Sequence, residues 1–206
     1  MCGRYASGIT PTEFMLLVDA ICGGGEVPGG YRPSWNIAPT QMAPVLRRSG
    51  AAMLRWGLVP KWWGKDSGPI NARAETAASK PMFRSAYKSR RCVVALSGFY
   101  EWRPQDKQPF YIQPAEPRPL LFAGLWEQRD ELETFAILTC DANDFMQPIH
   151  HRMPVVLSDE GASHWLDHPD PSLLVPCGNA ALRAHQVSKR VGNARNNDIE
   201  LIAEEK

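Results

Sequence analysis

Short apolar runs separated by turn-rich gaps dominate the second half of the chain. Cys92 to Leu96, Phe99 to Trp102, Phe110 to Ile112, Leu120 to Leu125 and Thr134 to Cys140 each read as a strand, and gaps this short suit antiparallel pairing. Met153 to Leu157 predicts a further strand, Ser158 caps a helix that runs through Trp165, and a short helix near Pro171 precedes a strand around Ala184 to Val187. Upstream, Ala43 to Arg48 and Ala51 to Trp56 flank Ser49-Gly50 as the arms of a β-hairpin. Helical patterning is confined to a few places. Thr10-Pro11-Thr12-Glu13 combines a Thr cap, Pro at the first helical position and Glu three residues on, and the apolar helix it starts runs to about Ile21, where Gly23-Gly24-Gly25 ends it. Residues 23–34 read as a Gly- and Pro-rich loop, and Gly57 to Gly68 as an aromatic loop carrying Trp62 and Trp63. A helical piece covers Glu75 to Tyr87, which Pro81 must interrupt or restart. There is no internal repeat, low-complexity tract or linker. The pattern predicts one α+β domain over residues 1–206, mainly antiparallel twisted β-sheet or barrel with a few short helices.

Composition narrows this picture. At 206 residues, 44% hydrophobic and 22% charged, the chain has the profile of a globular domain. A net charge of +1 argues against a polybasic duplex binder, though not against a groove that touches a few phosphates. The five cysteines, at 2, 22, 92, 140 and 177, lie far apart with no C-x-x-C pair, which predicts reduced intracellular thiols. With no apolar signal region, lipidation motif or membrane-length run, the expectation is a cytoplasmic protein with no membrane partner.

Candidate chemistry begins at Met1-Cys2-Gly3-Arg4. Loss of a methionine before a small residue would leave Cys2 first, with a thiol and a free α-amine on adjacent carbons. Such groups titrate at about 8.5 and about 7.7–8.0, so both are partly reactive near neutrality. An aldehyde suits this pair: the amine forms an imine, and the thiol closes on the same carbon as a thiazolidine, an intramolecular step whose effective molarity can reach roughly 10⁵ M or more. The plain alternative is a cysteine placed there by accident.

Three further stretches carry candidates. Asn71 and Arg73 in Pro69-Ile70-Asn71-Ala72-Arg73-Ala74-Glu75-Thr76 project to one side of an extended backbone and suit a sugar oxygen and a phosphate; equally, they read as a cap before a short helix and a solvated arginine. In Ser97-Gly98-Phe99-Tyr100-Glu101-Trp102, period two puts Glu101 on the face of Phe99, and aromatic flanks raise a carboxyl pKa toward general acid/base use unless that face is exposed. Ile149-His150-His151-Arg152-Met153-Pro154 offers two imidazoles, which point apart if the segment is extended; with no carboxylate or thiol at ligand spacing it predicts a proton-transfer or packed histidine rather than a metal site. His164, His168 and His185 read as structural or surface residues. Trp35, Trp62 and Trp63, like Pro33, Pro39 and Pro60, fall in predicted loops, where tryptophans either plug a core or stack on unpaired bases. Arg84, Lys88, Arg90 and Arg91 form the densest basic cluster, usually a solvated face.

Taken in order, these stretches resemble the SRAP family, the abasic-site processing proteins first described as SOS response-associated peptidases. The resemblance rests on Met1-Cys2-Gly3-Arg4-Tyr5, Trp35-Asn36-Ile37-Ala38-Pro39, Trp56-Gly57-Leu58-Val59-Pro60-Lys61-Trp62-Trp63 and Ile70-Asn71-Ala72-Arg73-Ala74-Glu75-Thr76. It continues with Gly98-Phe99-Tyr100-Glu101-Trp102, His150-His151-Arg152-Met153-Pro154 and Val191-Gly192-Asn193. It implies a single SRAP-like domain that senses abasic sites in single-stranded DNA and crosslinks to them through Cys2 once Met1 is removed. By that likeness Asn71 orients the Cys2 terminus and the opened sugar, Glu101 shuttles protons and His150 assists as acid/base. Arg4, Arg73 and Arg152 would hold phosphates, Thr139 matches less sharply, and Pro39, Trp62 and Trp63 would wedge and stack against bases. The likeness also implies a monomer with no cofactor or metal, and a latent lyase activity. Removal of Met1 reads either as the family's peptidase activity or as the work of an ordinary aminopeptidase. Two departures stand out: Pro81 replaces a basic residue of some relatives, and His151 occupies a variable position, leaving His150 as the preferred imidazole. Two other functions fit parts of the pattern. A thiol peptidase or hydrolase would use Cys2, His150 and Asn71 on peptides, and a non-catalytic single-strand binder would need only the tryptophans and arginines.

Overall fold

Frequent Gly and Pro cut the chain into strands too short to be stable alone, so pairing between distant segments decides the architecture. The computed structural model describes residues 2–205. In chain order, β1 (Arg4–Ser7) leads to α1 (Pro11–Cys22), β2 (Ser34–Ile37), the hairpin β3 (Met42–Arg47) and β4 (Gly50–Trp56), and β5 (Asn71–Arg73). Two short helices, α2 (Ala74–Ala77) and α3 (Arg84–Ser89), precede β6 (Arg91–Leu96), β7 (Gly98–Trp102), β8 (Pro109–Pro114), β9 (Leu120–Arg129) and β10 (Leu132–Asp141). Then come β11 (Arg152–Pro154), β12 (Val156–Leu157), α4 (Asp159–Asp167) and β13 (Leu182–Gln186), with two 3₁₀ turns between α4 and β13 and two more after β13. The start of α1 is as expected: Thr10 and Glu13 form a reciprocal capping box, and Gly23 ends the helix at φ 77°.

The strands form two sheets. One runs β13-β8-β7-β1-β2, and in the other β4, β3, β6, β9 and β10 pair in turn until β9 and β10 close them into a ring. This is the α+β, mainly antiparallel barrel that the patterning predicts. Two pairings depart from it: β4 and β5 both run parallel to β10, with Trp56 opposite Phe135 and Asn71 opposite Ile137. They are successive segments of one path along β10, and residues 57–70 are extruded between them. The base of that excursion is tied by Leu58 N–H donating to the Pro69 carbonyl at 3.0 Å. A side chain at Gly68 would place its Cβ 1.8 Å from the Leu58 carbonyl oxygen, so the close approach requires glycine there. Trp35 is also placed differently from expectation, within β2 rather than in a loop. Its strand is four residues long, and pairing with the distant strand β1, not local pattern, holds it.

Aromatic side chains fill the core. Tyr5 packs on Trp56 at 5.1 Å, and Trp56 stacks on Phe135 at 6.2 Å, while Tyr100 and Tyr111 build a second cluster with Val187, Val191 and Leu201. Outside the ring, Arg91 holds the helices. Its guanidinium is buried, and all five N–H groups are directed at backbone carbonyls: Tyr87 and Lys88 at the end of α3, Trp165, Leu166 and Asp167 at the end of α4. A cation there satisfies carbonyls that no intrahelical donor reaches. Lysine cannot reproduce the planar fork, so Arg91→Lys is expected to cost about 1–3 kcal/mol, read as a lower urea midpoint at unchanged m.

Candidate active site around Cys2

β1 lies between β2 and β7, so its backbone is paired on both edges and carries the chain's first residues into the interior. Cys2 is 1% exposed. Its carbonyl accepts a hydrogen bond from Asn71 Nδ2 at 2.8 Å, and its thiol lies 4.0 Å from the Arg4 carbonyl oxygen. Asn71 Oδ1 is buried with no hydrogen-bond partner among the described residues, which leaves an acceptor directed at the site. On the other side of β1, Arg4 pairs with Tyr100, so Glu101 follows directly on β7. Gly98 lets β7 press against β8, where an added Cβ would meet the Tyr111 ring carbon Cζ at 2.4 Å.

Phe99 is fully buried, which removes the solvent-facing alternative for Glu101, itself 4% exposed. Burial raises the Glu101 carboxyl pKa, the direction a proton donor needs. The Cys2 thiol is pushed far up as well, first by burial and then by the charge of Glu101. Near neutral pH the sulfur is therefore a protonated thiol rather than a standing thiolate.

His150 follows a turn over residues 144–149 and is not part of an extended run. For that reason the two imidazoles do not point apart: the His150 and His151 rings stack at 4.4 Å and 24°. His150 Nδ1 lies 3.0 Å from the Arg152 backbone nitrogen and 3.2 Å from the Arg152 carbonyl oxygen, so the backbone of Arg152 orients the ring in either tautomer. Burial lowers the His150 pKa. Thr139 on β10 links this segment to Asn71, because it is opposite both Arg73 of β5 and Pro154 of β11. Its hydroxyl lies within the sheet, donating to the Ala72 carbonyl at 3.4 Å. Among the described residues no three His, Cys, Asp or Glu side chains gather as a metal site requires.

The predicted binding residues divide by environment. Arg152 is 7% exposed and turned onto protein acceptors: Glu75 in bidentate fashion at 2.7 and 2.9 Å, Asp141 at 2.6 Å and the Thr139 carbonyl at 2.6 Å. Arg4 is half-buried, donating to Asn36 Oδ1 at 2.8 Å and the Val191 carbonyl at 2.6 Å. Arg73 and Trp62 face outward, and Pro39 is half-buried. Trp63 anchors Trp62 edge-on at 5.7 Å, with its own indole N–H given to the Ser67 carbonyl at 2.9 Å. Sequence reasoning assigned no role to Asn36, which is 1% exposed and donates to the carbonyls of Val191, Asn193 and Asn196 while accepting from Arg4. It ties two motifs, Trp35 to Pro39 and Val191 to Asn193, whose joint appearance was the available signal.

Known proteins resemble this chain along nearly its whole length. Residues 1–194 match the family model described as SOS response associated peptidase (SRAP). The abasic site processing protein YoqW of Bacillus subtilis is 38% identical over 98% of this chain and 99% of its own length. The abasic site processing protein YedK of Escherichia coli is 33% identical over 98% and 99%. HMCES of Xenopus tropicalis, named likewise, is 33% identical over 98% of this chain and 78% of its own. Among solved structures, a phage-related protein of Bordetella bronchiseptica superposes with a TM-score of 0.74 at 30% identity, covering 91% of this chain and 95% of the other.

The electrostatics of His150 predict a specific titration. Nitrogen-detected NMR should show a neutral ring at pH 7, titrating below the ordinary 6.5. The folded state binds this proton less tightly than the unfolded chain, so the associated stability is present above pH 6.5 and is lost as pH falls through that value toward the folded pKa. A ring protonated at both nitrogens at pH 7 would contradict the assignment.

Proposed function

This chain belongs to the SOS response-associated peptidase family, and we propose that it processes abasic sites in single-stranded DNA by trapping the opened sugar covalently on Cys2. The observation that carries this reading is the meeting of Cys2 with Asn71 and with the buried carboxyl of Glu101 at the start of the chain. Removal of Met1 turns that place into a free α-amine beside a thiol.

The chemistry follows from the environment. An abasic deoxyribose is mostly a closed hemiacetal, and a carboxyl whose pKa burial raises is suited to exchange a proton with the ring oxygen as the aldehyde forms. The Cys2 amine attacks the carbonyl carbon, and water leaves as the imine forms. Because the thiol is protonated until this moment, the amine reacts first. The sulfur then adds to the imine carbon, and its proton ends on nitrogen, completing a thiazolidine. Without sulfur capture the imine would permit β-elimination and strand cleavage, the latent lyase outcome. Asn71 holds the Cys2 carbonyl with Nδ2 and keeps Oδ1 for the amine or a sugar hydroxyl, and the His150 imidazole serves as a second proton-transfer group. Arg73 and Arg4 lie nearest the strand phosphates, with Pro39, Trp62 and Trp63 as apolar contacts for bases. Arg152 and Thr139 act from behind, fixing β5 and β11 on either side of β10.

A thiol peptidase would need a depressed thiol pKa, and burial moves Cys2 the opposite way. Intact-protein mass spectrometry with a uracil-excised single strand distinguishes the readings. The parent protein is expected to lose Met1 and gain the mass of the strand less one water. Cys2→Ala should give no stable adduct yet nick the strand through its terminal amine, and an unchanged adduct yield in that variant would refute the nucleophile. Glu101→Gln should slow adduct formation roughly 100-fold or more at neutral pH, measured by quenched time courses.

A further inference from the structure

His150 belongs to no helix or strand, so its place depends on the turn that leads into it. That turn, Asp144-Phe145-Met146-Gln147-Pro148-Ile149, has an exposed polar side and a proline that supplies no N–H donor. Met146 and Ile149 are its buried pegs. The Met146 carbonyl accepts the backbone N–H groups of Ile149 at 2.9 Å and of His150 at 2.8 Å. On the far side, the Arg152 backbone lies against His150 Nδ1. The imidazole is thus held between Met146 behind it and Arg152 ahead of it.

Arg152 is fixed by Glu75 and Asp141, and Met146 is fixed by Asn143, the second residue after β10. Asn143 Oδ1 accepts the Met146 N–H at 2.9 Å, and the Asn143 carbonyl accepts from Met146 at 3.1 Å and from Gln147 at 3.0 Å. Its backbone N–H is directed at Met153 Sδ at 3.4 Å, and Nδ2 donates to the Cys177 carbonyl at 2.9 Å. Oδ1 therefore faces a donor and Nδ2 an acceptor, an arrangement that suits a carboxamide. One residue thereby joins the end of β10, the turn before His150, β11 and the chain at Cys177, 34 positions away.

We propose that Asn143 is a positioning residue for His150: through Oδ1 it sets the Met146 peptide, and through that peptide the backbone and ring of His150. Its side chain is directed at Met146 and Cys177 rather than at Cys2, so it acts on the reaction only through the imidazole. Caps of the same kind open α1 and α4, where Thr10 and Ser158 accept from the N–H three positions on, so a serine hydroxyl can reproduce this one. A reacting group displaced by about 1 Å can lose roughly 100-fold in rate. The inference rests on the abasic-site reading for the task of His150, while the link from Asn143 to His150 is testable without it.

Single-turnover adduct formation on a uracil-excised strand is followed by quenched time courses, and strand affinity is measured separately by fluorescence anisotropy. Asn143→Ala should slow the covalent step roughly 10- to 100-fold and leave affinity at the parental value. Asn143→Ser, which keeps an acceptor for Met146, should recover most of that rate. In a His150→Ala background, Asn143→Ala should slow the reaction no further, because its effect runs through the imidazole. Native-state hydrogen exchange of the parent depends on no variant folding: the amide protons of Met146 and His150 are expected to open together. A parental rate in Asn143→Ala, an alanine-like rate in Asn143→Ser, additive losses in the double variant or independent opening of the two amides overturns the proposal. A parent protein that forms no adduct would instead overturn the abasic-site reading, and hydrogen exchange would still decide whether Asn143 holds the His150 segment.

Discussion

The hydrogen bond from Asn71 to the Cys2 carbonyl joins the two sheets at the place where the chain begins. Cys2 leads into β1, within the five-stranded sheet, and Asn71 belongs to β5, on the edge of β10 in the barrel. Chain ends usually fray because nothing pairs them. Here pairing to β2 and β7 on both edges removes that freedom, and one side-chain amide fixes the direction in which residue 2 enters the core. The register of β1 on β7 then decides which side chain of β7 follows, and it is Glu101.

Burial at this junction has opposite uses for the groups around it. It raises the pKa of a carboxyl, keeps a thiol protonated and favours the neutral form of an imidazole. Arginine cannot be neutralised in this way, and the buried Arg152 and Arg91 are instead surrounded by acceptors from the protein. Titratable groups are therefore gathered inside, at the start of β1, and exposed positive charge outside, on α3 and the 57–70 loop.

The loop over residues 57–70 shows how the two regions are connected. It leaves the path along β10 between two parallel pairings and returns two positions further on, so the exposed Trp62 is held at its base by the same strand that orients Asn71. Arg91 performs the corresponding task for α3 by gripping the carbonyls at its end. A loop and a one-and-a-half-turn helix have little stability of their own, and these two anchors supply it.

Local chemistry was enough to place α1, the β3–β4 hairpin, the strands from β6 to β10 and α4, because caps, turn residues and short apolar runs act over neighbouring residues. It made Cys2, Asn71 and Glu101 candidates beside plainer readings, and only the ordered motifs, through the family they resemble, preferred His150 to His151. The parallel pairing of β4 and β5 with β10, the closure of the ring and the inclusion of Trp35 in a strand depend on contacts between distant residues, which no local pattern contains. The same is true of the stacked histidines, of the inward turn of Arg152, and of the division of one basic run into the anchored Arg90 and Arg91 and the outward Arg84 and Lys88. Residue identity determined which chemistry was available; only the packing of remote segments decided which groups were desolvated, which were neutralised and which were left facing water.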